Sequence, residues 1–322
     1  MALYDVPAPA KINLFLHVTG RRADGYHTLE TVFRFIGLYD TLSFDLRRDG
    51  KIVREAGQGL PGLSMQDDLT VRAAQALQAA TGTPQGAQIR YEKRIPAGGG
   101  LGGGSSDAAT TLIALNRLWQ TGLSREELMA LARPLGADVP VFIYGRPAFA
   151  RGVGDVLSPV TLPERAYLVV HPPQHVPTAE VFSSPDLTRN TPSVKITVFA
   201  DWQKINAADN GSYDSTSCGS GLHENDSGNG LFGSNDLEPV VFAKYPRVGQ
   251  AAKWLSDQGL NARMSGSGAC CFVEFVTLQQ AAMCQQQIIS KIPSCENNVA
   301  LVQDAWVCPG LTDHPLRYWI SS

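Results

Sequence analysis

Gly98-Gly99-Gly100-Leu101-Gly102-Gly103-Gly104 is a run that no regular helix or strand accommodates well. Glycine gives up the most backbone entropy on folding, so six glycines in seven positions mark a loop that needs bare backbone. Directly after it, Ala108, Leu112, Leu115 and Trp119 recur at helical spacing, which predicts a helix N-terminus with Ser105, Ser106 and Asp107 available as caps. Amide N–H groups, the positive end of a helix dipole and missing Cβ atoms together make a cradle for phosphate.

Other glycine-rich phosphate motifs fit less well. The run satisfies G-x-G-x-x-G through Gly98, Gly100 and Gly103, yet Gly104 and Ser105 stand where a P-loop carries Lys-Ser/Thr. A dinucleotide fold places its loop after the first strand, with an acid ending the second strand about 20 positions on. Here a long strand-like stretch precedes the loop. The acids at that offset, Glu126 and Glu127, sit in a helix opened by the capping box Ser124-x-x-Glu127.

A chain of 322 residues suits two domains, each with its own interior. The net charge of −3 argues against a broad basic surface for nucleic acid or an anionic membrane. Apolar runs such as Leu14-Phe15-Leu16 and Leu168-Val169-Val170 are far too short to span a bilayer, and no apolar segment follows a basic start. The expectation is a cytoplasmic protein without a membrane partner. Cys218, Cys270, Cys271, Cys284, Cys295 and Cys308 form no C-x-x-C pair and no histidine stands at ligand spacing, so they read as reduced thiols and not as a metal site.

From Ile12 to Val18 the pattern alternates, with Ile12, Leu14, Leu16 and Val18 on one face of a strand and Lys11, Asn13, Phe15 and His17 on the other. Further strands are expected through Val32, Arg34 and Ile36, over 41–46, and through Ile89 and Tyr91, with a helix over 68–80. The second half predicts a buried strand over 167–170, a helix near 248–255, a strand through Cys271, Val273 and Phe275, a helix over 278–290 and a last strand near 299–307. Between 206 and 235, twenty of thirty residues are Gly, Ser, Asn or Asp, which predicts a mobile surface insertion with order resuming at Asp236. The alternation of strands and helices in both halves indicates α+β layers rather than a doubly wound parallel sheet.

Phosphoryl transfer needs cradled phosphates, cations against their charge and an acceptor hydroxyl held in line. Asp138, alone in the apolar stretch Gly136-Ala137-Asp138-Val139-Pro140-Val141-Phe142, reads either as a helix N-cap or as a fixed catalytic carboxylate. Lys11 and Asn13 share the non-aliphatic strand face. Lys11 is either a solvated lysine or the partner that keeps Asp138 ionised. Tyr26-His27 is either hairpin structure or an aromatic and a two-nitrogen edge that stack on and read a nucleobase. Ser265-Gly266-Ser267-Gly268 is either a tight turn or a second loop facing the phosphates.

Three of these motifs occur together. Pro9-Ala10-Lys11-Ile12-Asn13-Leu14, Pro96-Ala97-Gly98-Gly99-Gly100-Leu101-Gly102-Gly103-Gly104-Ser105-Ser106 and Met264-Ser265-Gly266-Ser267-Gly268 resemble, in order and spacing, the three signatures of the GHMP small-molecule kinases. The motifs around Tyr26-His27, Asp138, Ala150-Arg151-Gly152-Val153-Gly154 and Asn235-Asp236-Leu237-Glu238-Pro239 narrow the resemblance to the branch that acts on a cytidine-diphosphate-linked methylerythritol. It implies two domains over 1–156 and 157–322, the first like ribosomal protein S5 domain 2 and the second ferredoxin-like, with the last residues packed back on the first.

The resemblance further implies ATP-dependent phosphorylation of the 2-hydroxyl of that acceptor, in the non-mevalonate isoprenoid route, with Mg2+ accompanying the nucleotide. It makes Asp138 the catalytic carboxylate and Lys11 its partner, wraps the stretch from Pro96 through Ser106 around the ATP phosphates, and puts Asp68, Leu69 and Lys93 near adenosine. Asn13, Tyr26, His27, Val153 and Phe182 would form the cytidine side, with Tyr26 and Phe182 sandwiching cytosine. Asp68 departs from the family, which has Asn there, and the insertion is longer than usual. Homoserine and mevalonate kinases are the rival enzymes, and a nucleotide-binding pseudokinase the rival class. Partners are small molecules, and the assembly is a monomer or homodimer.

Overall fold

The computed structural model describes residues 1–55, 62–208, 231–293 and 300–320. The chain opens with a long antiparallel pair, β1 (Ala2–Arg21) and β2 (His27–Arg47). There follow β3 (Ile52–Arg54), α1 (Leu69–Thr81), β4 (Gly86–Glu92), α2 (Gly103–Leu118), α3 (Arg125–Ala132), α4 (Val139–Tyr144), β5 (Ala148–Arg151) and β6 (Val156–Pro159). The strands form one sheet in the order β3-β4-β2-β5-β6, with β1 also on β2.

Where two separate strands are expected at 32–36 and 41–46, β2 is continuous. Pro9 pairs with Tyr39 but Ala10 with Ile36, so β2 bulges at Gly37 and Leu38 and serves different neighbours on its two halves. A Cβ on Gly37 would lie 2.7 Å from the Pro309 ring, which leaves glycine at the bend. The β1 alternation also breaks: a register shift between Asn13 and Leu16 sends Phe15 into the apolar cluster with Ile12 and Leu14.

Helix starts follow side-chain chemistry at α1 and α3. Asp68 caps α1 by accepting from Thr70 N at 2.9 Å, and Ser124 and Glu127 form a reciprocal capping box on α3. At α2 the expectation fails. The helix begins at Gly103 after Gly102 in the left-handed conformation, without a side-chain cap, so Ser105, Ser106 and Asp107 lie inside its first turns.

The second half contains β7 (Ala166–His171), α5 (Thr178–Ser183), α6 (Ile196–Ala208), α7 (Glu238–Lys244), α8 (Pro246–Asp257), β8 (Ala262–Met264), β9 (Cys271–Phe275), α9 (Leu278–Ile289) and β10 (Asp304–Pro309). Its sheet runs β10-β7-β9-β8, all antiparallel, with helices in the β7–β8 and β9–β10 connections, the ferredoxin-like arrangement. Helices α5, α6 and α7 have no clear periodic signal in the sequence. The insertion expected over 206–235 is only partly covered: 206–208 end α6, 209–230 lie outside the described residues, and 231–235 are described. Arg263 holds 231–233 by donating to the carbonyls of Leu231, Phe232 and Gly233.

Three buried apolar clusters hold the fold. One lies between the first sheet and α1, α2 and α4, and takes in Leu316 and Ile320 from the far end of the chain. A second fills the ferredoxin-like half, and a third, with Ile12, Val32 and Ile36 facing Tyr167, Val169 and Phe272, joins the two sheets. Cys270, Cys271, Cys284 and Cys308 are buried without disulfides, and Cys218 and Cys295 lie outside the described residues.

Candidate active site

A cavity of about 990 Å³ opens where β1, the glycine loop, α2, α5 and the 265–268 loop meet. Positive φ at Gly98, Gly100 and Gly102 shapes the loop. Packing then excludes side chains: a Cβ on Gly98 would stand 2.1 Å from His175 Nδ1, and one on Gly100 2.0 Å from the Ser265 carbonyl. The first α2 hydrogen bond runs from Ser106 N–H to the Gly102 carbonyl at 2.8 Å. The N–H groups of Gly103, Gly104 and Ser105 therefore have no helical carbonyl ahead of them, at the positive end of a sixteen-residue helix.

The 265–268 loop and the two residues after it brace the glycine loop from behind. Ala269 N and Cys270 N donate to the carbonyls of Gly98 and Gly99, and Ser265 Oγ donates to the Gly100 carbonyl. Only Gly266 and Ser267 of this loop line the cavity.

Asp138 precedes α4 but makes no capping bond. Its Oδ2 lies 3.1 Å from Lys11 Nζ, and Lys11 Nζ also donates to Asn13 Oδ1 at 2.6 Å. Lys11 is buried while Asp138 keeps a third of its side chain open to the cavity. The main-chain N–H of Lys11 donates to the Leu101 carbonyl, which ties the strand bearing this pair to the phosphate loop. Asn13 is held in turn by Thr31, whose Oγ1 accepts from Nδ2 at 2.9 Å.

At the end of the cavity beside the start of α1, Asp68, Leu69 and Lys93 all line it. Asp68 has no oxygen to spare: Oδ1 accepts from Thr70 N and Oγ1, and Oδ2 from Arg54 at 2.8 Å and Tyr91 OH at 2.7 Å. Burial works against this carboxylate, but the bonds from Thr70, Tyr91 and Arg54 outweigh it and keep its pKa below the ordinary value. Lys93 is gripped by Asp40 and Asp107. Burial opposes its charge, yet the two carboxylates win and raise its pKa. Burial pushes Asp107 up to about 7 against the pull of Lys93.

At the other end, Asn13, Tyr26, His27, Val153 and Phe182 line the same cavity. Tyr26 stands exposed on the rim. The ring in contact with Phe182 is His27, at 5.3 Å between centroids and 33° between planes. The sequence-predicted site residues line this cavity except Ser265 and Gly268 of the second loop and Ser106, whose hydroxyl is buried inside α2 without a partner. Sequence reasoning missed Thr31, Asp40, Asp107, His175 and Arg189. Asp107 directly follows the phosphate loop and is the one a local signal could have flagged.

The chain matches the models of the GHMP kinases N-terminal domain over 68–146 and the GHMP kinases C-terminal domain over 207–293. A 4-diphosphocytidyl-2-C-methyl-D-erythritol kinase of Bordetella parapertussis is 56% identical over the full length of both chains. One of Cupriavidus taiwanensis is 51% identical over 90% of this chain and 89% of its own. The chain belongs to the 4-diphosphocytidyl-2-C-methyl-D-erythritol kinase family. A crystal structure titled 4-(cytidine 5'-diphospho)-2C-methyl-D-erythritol kinase superposes with a TM-score of 0.71 at 32% identity, over 96% of this chain and 99% of that one. The homoserine kinase of Cytophaga hutchinsonii, at 16% identity and a TM-score of 0.61 over 97% of this chain and 95% of its own, shares the fold.

Proposed function

We propose that the protein transfers the γ-phosphoryl group of ATP to the 2-hydroxyl of 4-diphosphocytidyl-2-C-methyl-D-erythritol. The observation that carries this reading is the ion pair of Lys11 and Asp138 at 3.1 Å, in one cavity with the α2 N-terminus. The acceptor oxygen forms a bond to the γ-phosphorus as the bond to the β-phosphate oxygen breaks and ADP leaves. The hydroxyl proton passes to Asp138, and Lys11 offsets negative charge beside the transferring group. The N–H groups at Gly103, Gly104 and Ser105 take the phosphates.

Lys93, already neutralised by two carboxylates, suits hydrogen bonding near adenosine better than charge compensation at the phosphates. Asp68, with both oxygens engaged, shapes that end through Arg54 and Tyr91 rather than by direct contact. Mg2+ is read as arriving on the triphosphate, the usual mode for a cation that keeps several waters and binds chiefly through substrate phosphates. Asn13, Tyr26, His27, Val153 and Phe182 are assigned to the cytidine side.

We place the protein in the cytoplasm as a monomer or homodimer acting on small molecules and not on nucleic acid. Among the described residues no helix is long and apolar enough to cross a membrane. The boundary of the two units is taken near 156, and β6 just beyond it still pairs with β5. The test is ADP release with 4-diphosphocytidyl-2-C-methyl-D-erythritol, homoserine and mevalonate as acceptors. Turnover confined to the first supports the reading, and turnover with either of the others in its place refutes it.

A further inference from the structure

His27 opens β2 on the nucleotide side of the cleft, and Phe182 lies on α5 across from it. Arg189, in the chain after α5, connects them. Its Nε donates to His27 Nε2 at 2.9 Å. Nη1 donates to the Leu187 carbonyl at 3.0 Å, and Nη2 to the carbonyls of Ser184 at 2.6 Å and Phe182 at 3.2 Å.

A guanidinium has donors only and keeps its proton at any physiological pH. The imidazole nitrogen it bonds must therefore carry the lone pair. With the lone pair on Nε2, a neutral His27 carries its proton on Nδ1, and His27 lines the cavity. The charged groups bearing on the ring are Arg189 and Arg21; with burial the largest cause, they disfavour a second proton and lower its pKa. Three carbonyl anchors hold the guanidinium plane, a geometry that a lysine cannot reproduce.

We propose that Arg189 is a specificity-determining positioning residue, which locks His27 as an Nδ1–H donor so that the pocket accepts cytosine and rejects uracil. Cytosine presents an unprotonated N3 on its pairing edge, whereas uracil presents N3–H. A fixed donor bonds the first and opposes the second, while a histidine free to exchange its tautomer serves both. The inference rests on the acceptor reading proposed above.

The experiment measures inhibition by CDP and by UDP, each competing with 4-diphosphocytidyl-2-C-methyl-D-erythritol at saturating ATP, alongside 15N spectra of the histidines. The wild-type protein is expected to show His27 protonated at Nδ1 and to favour CDP by at least about 100-fold, as sites built around a hydrogen-bonding edge do. Arg189→Met and Arg189→Lys should each reduce that ratio about tenfold or more, mainly by weakening CDP, with Nε2-protonated His27 emerging in the spectra. An unchanged ratio, or an equal loss of both nucleotides, overturns the proposal; the latter would mean that Arg189 only holds Phe182 in place. Phe182→Ala separates the two levels: unchanged CDP affinity there removes the pocket reading itself, whereas weakened CDP there with an unchanged ratio in Arg189→Met removes only the role of Arg189.

Discussion

Lys11 is buried and Asp138 is open, yet their charged atoms meet at 3.1 Å. The lysine is thus the fixed member of the pair, anchored also on Asn13, and the carboxylate is the member free to face an acceptor hydroxyl. Asp138→Asn is expected to lower kcat by about 10²–10⁴, the span for a positioned acid or base, with ATP affinity kept. Lys11→Met should lower it by about 10²–10³. Steady-state kinetics with both substrates varied checks this, and near-normal turnover in both variants contradicts it.

Gly100 is held at φ +71° with the Ser265 carbonyl 2.0 Å from where a Cβ would go. Gly100→Ala must therefore move the 265–268 loop, which leads directly into the Ala269 and Cys270 amides that hold Gly98 and Gly99. The left-handed conformation alone costs a non-glycine residue about 1–2 kcal/mol. ATP affinity should fall more than tenfold, in contrast to Gly122→Ala, where φ is also positive but nothing lies within 4 Å. Isothermal titration of the two variants with ATP decides between loop geometry and general strain.

Tyr26 on the rim and Phe182 across the cavity are expected to flank cytosine. Stacking is worth about 1–3 kcal/mol per base, so Tyr26→Ala and Phe182→Ala should each weaken the acceptor roughly 5- to 150-fold. ATP binding should stay the same. Equal weakening of both ligands would point to misfolding, and no change in either would remove these rings from the site.

His314 sits against Phe35 and Phe142 and is fully buried, and burial with Arg125 nearby holds its pKa down to about 3. Its folded pKa lies below the unfolded value, so below about pH 6.5 the unfolded chain binds the extra proton and the native state does not. The stability this contributes is present above that pH and is lost as pH falls toward 3, at up to about 1.4 kcal/mol per pH unit. His314→Gln should flatten the acid side of a urea-unfolding profile measured from pH 7 to pH 4. An unchanged slope contradicts the assignment.

The local signals in the chain were strong where a single segment decides the outcome. The glycine run, the Ser124 box, α1, α8, α9 and the β7 and β9 strands all follow from spacing and capping chemistry. What spacing does not reveal is who occupies a side chain's hydrogen bonds. Asp138 looks like a cap until Lys11 is seen beside it, and Asp68 looks like a nucleotide contact until Arg54 and Tyr91 take its oxygens. The start of α2 was misplaced because Ser105, Ser106 and Asp107 are good caps by type, whereas bare N–H groups are what the packed glycines leave. Arg189 was illegible because its partners, His27 and three carbonyls, are assembled only by the fold.

The central claim is transfer of one phosphoryl group to one hydroxyl. 31P NMR of a reaction containing ATP, Mg2+ and 4-diphosphocytidyl-2-C-methyl-D-erythritol tests it most directly. The account predicts loss of the γ-phosphate signal matched by a new phosphomonoester on the 2-hydroxyl, with the cytidine diphosphate signals retained, and no such product from Asp138→Asn on the same timescale. A phosphomonoester on a different hydroxyl, or ATP consumption with no acceptor product, would contradict it.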